Sequence, residues 1–460
     1  MGISNLLSIA SDALAAQAFA VDVTGQNVSN VNTPGYVRRN ALIETRGLPG
    51  ASQGGVNIKG INRAFDQFLD QRSVVASGLS AYANSHDSAL GGLQAIFNDT
   101  DGSGLSDKVT QLFSSFTALA ANPNDPTTRA TVLTRADAFA AGLRDSSSQI
   151  TSQRTDMYSQ AQGVATQVNG IAGRIAKLNN QIAQAEGSGS DASDMHDQRG
   201  NLISDLSQLV DVHSFIDGSG KFVVRAAGST LVEGGLAANL SVQLDVSGNL
   251  QVLSQRGGSP ASDVTSQLSG GQLYGLQQAR DVDATSAQTK LDQLAFDVAT
   301  AVNTQHAAGF GLDGVSGRNL FSVSPMPGSA ATITLDPAMV GQPNRIAASD
   351  TAANVPGGSN NATALSIIAG QKVASGGTRT PIEAYSDLVG DVGSRKQAAQ
   401  NDVTLREAQA AQTKSLRDSS SGVSLDEEMV SLTRYQRGYE AATKLIKTVD
   451  DLLAGLMQAL

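Results

Sequence analysis

Each end of the chain carries an apolar stripe at helical spacing, and such a stripe needs cover. Near the N-terminus Ile3, Leu7, Ala10, Leu14, Ala18, Val21, Gly25 and Val28 recur at alternating three- and four-residue steps, with Leu7, Leu14, Val21 and Val28 each seven apart. The spacing predicts a helix over 3–28 with a coiled-coil seam, a weak one because Ala is so frequent in it. At the other end Leu425, Met429, Leu432, Tyr439, Ile446, Val449, Leu453, Leu456 and Leu460 step in the same way, after Gly422. Burying one large apolar side chain stabilises by roughly 1.5–3 kcal/mol, so a lone terminal helix of this kind seeks a partner. The simplest partner is the stripe at the opposite end. Apolar surface left over then faces other copies of the chain. Because an Ala-rich seam buries little area, both ends are expected to be disordered or weakly helical until assembly covers them.

Between these ends the period changes twice. The first helix should stop near Asn30, and Asn32-Thr33-Pro34-Gly35 reads as a type II turn, with Pro fixing φ and Gly free to take a positive one. Tyr36 to Arg46 and Val56 to Ile61 read as a strand pair around a Gly/Pro-rich loop at 47–55. From 62 to about 210 the pattern is helical, broken at Pro123 and Pro126, and Val132 to Ile182 marks one very long helix. Between Val212 and Leu273 short alternating segments such as Phe222-Val223-Val224-Arg225 indicate a small β region. Helix resumes from Leu273 through Val302. Residues 309–377 are Gly/Pro-rich and irregular, with a strand-like Thr332 to Leu335, and 382–416 is helical again. The expected fold is mainly α, with long coiled-coil-like helices from both termini, a helical core domain and an inserted small β domain. The expected division is 1–45 with 420–460 as the terminal coiled-coil region, 46–210 with 273–419 as the helical core, and 211–272 as a β-rich outer domain.

Composition removes several classes of function. The net charge is −10, which opposes binding to nucleic acid or to an anionic membrane surface. There is no Cys, so disulfide scaffolds and thiolate metal sites are excluded, and there is no Trp. No segment reaches roughly 18 consecutive apolar residues, the length of a membrane span. The first basic residue is Arg38, so the start lacks the positive region of a cleaved leader.

Patterns that resemble catalytic motifs sit in the wrong surroundings. Gly50-Ala51-Ser52-Gln53-Gly54 spells G-x-S-x-G, but in a flexible loop followed by a strand rather than a helix. Asp99, Asp101, Ser103 and Gly104 match the opening of a calcium loop, yet Thr110 stands where its bidentate Glu belongs, and a helix cap near Ser106 is the simpler reading. His86, His196, His213 and His306 are never at ligand spacing. Asp194 to Arg199 reads as capping and salt-bridge residues before a helix. No catalytic residue, cofactor or metal is expected.

One string is specific. Gln26-Asn27-Val28-Ser29-Asn30-Val31-Asn32-Thr33-Pro34-Gly35-Tyr36 resembles the signature of flagellar rod, hook and hook-associated proteins, at the end of an N-terminal heptad helix. Ala121-Asn122-Pro123 with Asp125-Pro126 and Arg129 is similar to the helix-breaking segment of the hook-associated protein 1 (FlgK) family. So is Leu291-Asp292-Gln293-Leu294 leading to the Ala301–Phe310 stretch through His306. The Ser421–Met429 stretch, with Tyr435-Gln436-Arg437 and Tyr439-Glu440-Ala441-Ala442, resembles the C-terminal helix that these axial proteins share.

The resemblance implies an extracellular structural adaptor at the hook–filament junction of the bacterial flagellum, exported unfolded through the flagellar type III channel. Its implied partners are itself in a ring or layer, the flagellar hook protein, the next hook-associated junction protein, and a cytoplasmic export chaperone binding the C-terminal region. No nucleic acid and no membrane insertion are implied. The expected assembly interface comprises Leu7, Leu14, Val21, Val28, Asn30, Asn32, Pro34, Gly35, Tyr36, Leu425, Met429, Leu432, Tyr439, Ile446, Val449, Leu453 and Leu456. The midsection would form a rigid tube wall and the β region would give lateral contacts. The rivals are another axial protein (hook, distal rod or filament) and a secreted adhesin or hydrolase using the same export route. The boxes near Pro123 and His306 count against the first. The lack of paired carboxylates with a base in 211–272 counts against the second.

Overall fold

The computed structural model describes residues 3–46, 54–98, 102 and 104–458. Leu460, Gly50–Gln53 and Asp99, Asp101 and Ser103 lie outside them. Helix α1 (Ile3–Ser29) ends in the predicted turn: the Tyr36 N–H donates to the Thr33 carbonyl at 3.2 Å, and Gly35 has φ +74. Strands β1 (Arg39–Thr45) and β2 (Val56–Arg63) pair antiparallel with a bulge at Leu42/Ile43. Asp66 caps α2 (Gln67–Ile96), accepting from the Phe68 and Leu69 N–H groups. Helix α3 (Leu105–Ala121) starts with Gly104 at the cap position, two residues before Ser106.

Pro123 and Asp125 then set up α4 (Pro126–Gly187). Asp125 accepts from the Thr127 and Thr128 N–H groups and Pro126 occupies the first turn, where no N–H is needed. With 62 residues α4 is about 93 Å long. Helix α5 (Ser193–Leu209) contains the Asp194–Arg199 cluster within its first turns rather than ahead of it.

The β region is two antiparallel sheets. One has the order β3 (Val212–Ile216), β4 (Phe222–Ala226), β5 (Ser229–Glu233), β6 (Leu236–Ala237); the other β7 (Asn239–Leu244), β8 (Leu250–Gln255), β9 (Ser262–Asp263). Helix α6 (Gly271–Gln278) passes through a π turn at Ala279–Asp283 into α7 (Ala284–Ala308). Short pieces follow: β10 (Phe321–Ser322), α8 (Ser329–Thr332), β11 (Thr334–Leu335) and α9 (Asn360–Ile367). Helix α10 (Pro381–Ser421) opens with a capping box, Thr380 and Glu383, and α11 (Leu425–Gln458) completes the described chain. The mainly α class, with long helices at both ends and a small inserted β region, is as the sequence predicts.

Helix α4 threads two hydrophobic cores. Its first half brings Val132, Phe139, Leu143 and Ile150 against Phe116 of α3, Leu291 and Val298 of α7 and Leu388 of α10. Its second half brings Met157, Val168 and Ile175 against Val74 of α2, Leu206 of α5, Leu273 of α6 and the strand residues Val224, Val232, Leu240 and Val252. The strands therefore share a core with helices on both sides of them in sequence. Helices α2 and α10 run antiparallel, with Lys396 on the Asp87 carboxylate at 2.6 Å and the Asn84 amide donating to Glu407 at 3.2 Å.

The boxes noticed in sequence act as fasteners. Arg129 is buried and donates to the carbonyls of Pro123 at 2.6 Å and Ile346 at 2.8 Å, which ties the Pro123 break to the 309–377 segment. Burial pushes its pKa down to about 10. Asp292 accepts from the Gly328 and Ala330 N–H groups at 3.0 and 2.9 Å. His306 is a satisfied core residue: Nδ1 donates to the Arg318 carbonyl at 2.7 Å and Nε2 accepts from the Ala347 N–H at 3.1 Å.

Burial lowers the His306 pKa below its ordinary 6.5. The folded chain thus refuses a proton that the unfolded chain accepts. His306 favours folding fully above pH 6.5, and the benefit falls away as pH drops through the window below it. His196, also lowered by burial, acts in the same direction. The expected dependence is at most about 1.4 kcal/mol per pH unit for one proton. Urea midpoints measured on either side of that window should converge for His306→Gln relative to the unaltered chain.

Candidate assembly site at the paired chain ends

The two ends form one antiparallel helix pair. Asn27 of α1 meets Glu428 of α11, while a Cβ added at Gly438 would stand 2.8 Å from the Gln17 side chain. Ala10, Ala16, Ala20, Val23, Thr24 and Asn27 are buried on α1, which packs against α11 and against β1 and β2, and Glu428, Ala442 and Val449 are buried on α11. Both ends are therefore continuous helices packed on each other, in place of the disorder expected from a weak seam. The reason is close approach, since Ala and Gly bring two backbones together where larger side chains could not.

The large apolar residues named from the sequence flank this seam. Leu14, Val21, Val28, Leu432 and Ile446 are half-buried beside it. Leu7, Leu425, Met429, Tyr439 and Leu453 are exposed, and so are Leu6, Val430, Leu445, Leu452 and Met457. Among the described side chains of the named α11 set, only Val449 is buried. Leu456 lies on α11, but its side chain is outside the described residues.

At the body end of the pair a polar knot ties six elements together, α1, β1, β2, α5, α10 and α11. The Asn27 amide uses all four of its hydrogen-bonding positions. Nδ2 donates to the Arg39 carbonyl at 2.8 Å and to Glu428 Oε2 at 3.0 Å; Oδ1 accepts from the Arg39 N–H at 3.0 Å and the Tyr36 hydroxyl at 2.9 Å. Arg38 holds Glu427 at 2.5 Å and Glu428 at 2.7 Å, and its N–H donates to the Ser421 carbonyl at 2.9 Å. Arg39 reaches α5, with Asp194 at 2.5 Å and Asp197 at 3.2 Å, and Arg63 of β2 shares Asp197. The Arg39 guanidinium lies 4.8 Å from the Tyr36 ring centroid.

Burial alone would lower the Arg39 pKa, but its bonds to Asp194 and Asp197 outweigh that and hold it above the ordinary value. The Tyr36 hydroxyl is raised by burial and by the nearby carboxylates, against the pull of Arg39. The knot is thus a set of paired charges around a satisfied Asn27 amide, which can fix geometry; Arg39 Nε and the Ser421 hydroxyl are buried in it without a hydrogen-bond partner. No group of three His, Asp or Glu side chains able to hold a metal occurs among the described residues.

The other predicted residues shape the turn. The Asn30 amide donates to the Gln26 carbonyl at 2.9 Å and its oxygen accepts from the Thr33 hydroxyl at 3.1 Å. Asn32 and Pro34 are exposed, and the Pro34 carbonyl accepts from Asn201 at 3.3 Å. Gly35 is required twice: φ is +74, and a Cβ would meet Asn201 Oδ1 at 1.7 Å. Gly35→Ala is expected to cost about 1–2 kcal/mol from the left-handed backbone, and more from the clash. Adding Asn201→Ala should recover the second part and leave the first, as read from urea midpoints.

The sequence reading missed the knot as a unit. Asn27 and Glu427-Glu428 stood only inside family strings, Asp194 and Asp197 only as a local cluster, and Arg39 and Arg63 not at all. The available signal was an Asn inside an apolar heptad helix, together with Arg38, Arg39 and Arg63 gathered in a chain short of cations.

Residues 7–36 match the family model described as "Flagella basal body rod protein", and residues 416–459 match "Flagellar basal body rod FlgEFG protein C-terminal". Paired ends of this kind place the molecule among the axial proteins of the bacterial flagellum. The model "Flagellar hook-associated protein FlgK helical domain" matches residues 90–321, half of the chain and most of both cores. The chain belongs to the FlgK family of flagellar hook-associated proteins, and is a structural component of the flagellum.

The flagellar hook-associated protein 1 of Bacillus subtilis (strain 168) is 27% identical, over 97% of this chain and 96% of that protein. The proteins of the same name from Salmonella typhimurium (strain LT2) and Escherichia coli (strain K12) are 24% and 22% identical, each over 99% of both chains. The solved structure of the flagellar hook junction protein FlgK from Burkholderia pseudomallei shares the fold. Its TM-score is 0.67 at 18% identity, covering 76% of this chain and all of that one.

Proposed function

We propose that this chain is an adaptor at the hook–filament junction, a structural and not a catalytic part. Copies form a layer on the flagellar hook protein and offer a surface to the next hook-associated protein and then the filament. The observation that carries this reading is a row of large apolar side chains, Leu425, Met429, Tyr439 and Leu453, exposed on a helix whose seam is already filled. Such a row on the rim of a helix pair suits contact with further copies. The interface then runs over Leu7, Leu14, Val21 and Val28, the turn at 30–36, and the outer face of α11. The unit 1–45 with 420–460 makes the axial contacts, the body 46–210 with 273–419 the wall, and 211–272 lateral contacts.

Helix α1 is long and apolar enough to cross a membrane, by length and composition. Its seam with α11, and the buried hydrogen bonds of Thr24 and Asn27, support helix pairing as the reason for that hydropathy. Export leads to an extracellular location, and a cytoplasmic chaperone covers the exposed apolar face of the C-terminal region beforehand. Immunogold labelling of purified flagella tests the reading. Label confined to the hook–filament boundary is expected, and label spread along the hook would assign the chain to another axial position.

A further inference from the structure

Four β edges in this fold end against amide side chains supplied by helices. Asn27 of α1 binds both peptide groups of Arg39 on β1, at 3.0 Å to its N–H and 2.8 Å to its carbonyl. Asn169 of α4 does the same to Leu240 on β7, at 2.7 and 2.8 Å. Asn303 of α7 does so to Phe321 on β10, at 2.9 and 2.8 Å. Gln71 of α2 bridges two residues of β3, accepting from the Ser214 N–H at 3.3 Å and donating to the Val212 carbonyl at 3.1 Å. Strands β3 and β7 are outermost in their sheets, and β1 and β10 belong to two-stranded sheets. A side-chain amide carries the same donor and acceptor as a peptide group, so it fills positions that a further strand would use.

The remaining edges are closed by other means. Strands β6, β9 and β11 have two residues each. Strand β2 faces a bulge in its ladder, where Gly60 has φ +141 and Lys59 supplies a charge. Short edges, bulges and lysines are ways in which sheets avoid pairing with another chain.

We propose that Asn27, Gln71, Asn169 and Asn303 are edge guards, which deny a β edge to a second copy of this chain and so keep self-association from running through strand pairing. The inference does not depend on the junction role, because any copy can act as a strand donor. Asn27 is itself buried in the knot and Asn303 also accepts from the Leu320 N–H, so Asn169 and Gln71 are the informative positions. In Asn169→Ala the full-length chain should gain thioflavin T fluorescence at temperatures well below its own Tm. It should also take up a labelled peptide copying Asn239–Leu244, seen as a rise in anisotropy. Val168→Ala loses core volume without opening an edge and serves as the matched destabilised control; it and the unaltered chain should show neither effect. The proposal is overturned if Asn169→Ala behaves as the unaltered chain, or if Val168→Ala matches it at the same distance below its own Tm. Should Asn169→Ala not fold, Gln71→Ala carries the same test with a peptide copying Val212–Ile216. Absence of uptake there overturns the proposal equally.

Discussion

A chain carrying Met429→Glu and Leu453→Glu is expected to fold as well as the unaltered protein and to fail completely in assembly. In a single copy these side chains are 54% and 39% exposed, so a carboxylate at either position keeps its water. Surface changes of that kind shift stability by about 0.5 kcal/mol or less. In the proposed layer of copies the same positions would be covered, and an unpaired buried carboxylate costs several kcal/mol at every contact. The effect repeats in each copy, so the loss of assembly should be total while the melting temperature hardly moves. Removal of residues 1–30 or 425–460 should act in the same direction. The two cores along α4 contain no residue from either end, so the middle should stay folded. Complementation of a deletion strain, scored by motility and by electron microscopy for hooks without filaments, is the decisive measurement. Restored motility with either variant would end the adaptor reading.

The second large effect is expected from Asn27→Leu, a change of shape small enough to isolate the polar loss. Asn27 is 1% exposed, and its amide satisfies the Arg39 N–H and carbonyl, the Tyr36 hydroxyl and Glu428. Leaving buried groups unpaired costs about 1–3 kcal/mol each, although Arg38 still holds Glu428 and Arg39 still holds Asp197. A loss of about 3–5 kcal/mol in the attachment of the ends is therefore expected, in line with breaking a buried pair. Amide hydrogen exchange read over α1, β1 and α11 would localise it, with α3 and the first half of α4 unchanged. Glu428→Gln keeps one acceptor for Asn27 and should lose less. Equal protection in Asn27→Leu and the unaltered chain would show that the knot does not hold the ends.

The two predictions separate what the ends do into contacts within one copy and contacts between copies. Sequence periodicity sees both as one apolar stripe, because a helical wheel records which residues share a face and not what lies opposite. Leu7, Leu14, Val21 and Val28 form a true heptad, yet the apolar residues that α1 buries are Ala10, Ala16, Ala20 and Val23, elsewhere around the helix. Short-range chemistry was read more surely. Pro34-Gly35 specified its turn, and Pro123 and Pro126 the break between two helices, since each depends on neighbours within a few residues.

By itself, then, the sequence determined the helices, their breaks, the β insertion and the family strings at both ends, because propensity, period and turn chemistry are local. The tertiary structure alone decided that α4 carries two cores, that small residues make the seam, and that Asn27, Arg39 and Asp197 meet. Those contacts join residues more than a hundred positions apart, such as Arg39 with Asp197 and Asn27 with Glu428. Their partners are chosen by the packing of whole elements, which no window along the chain contains.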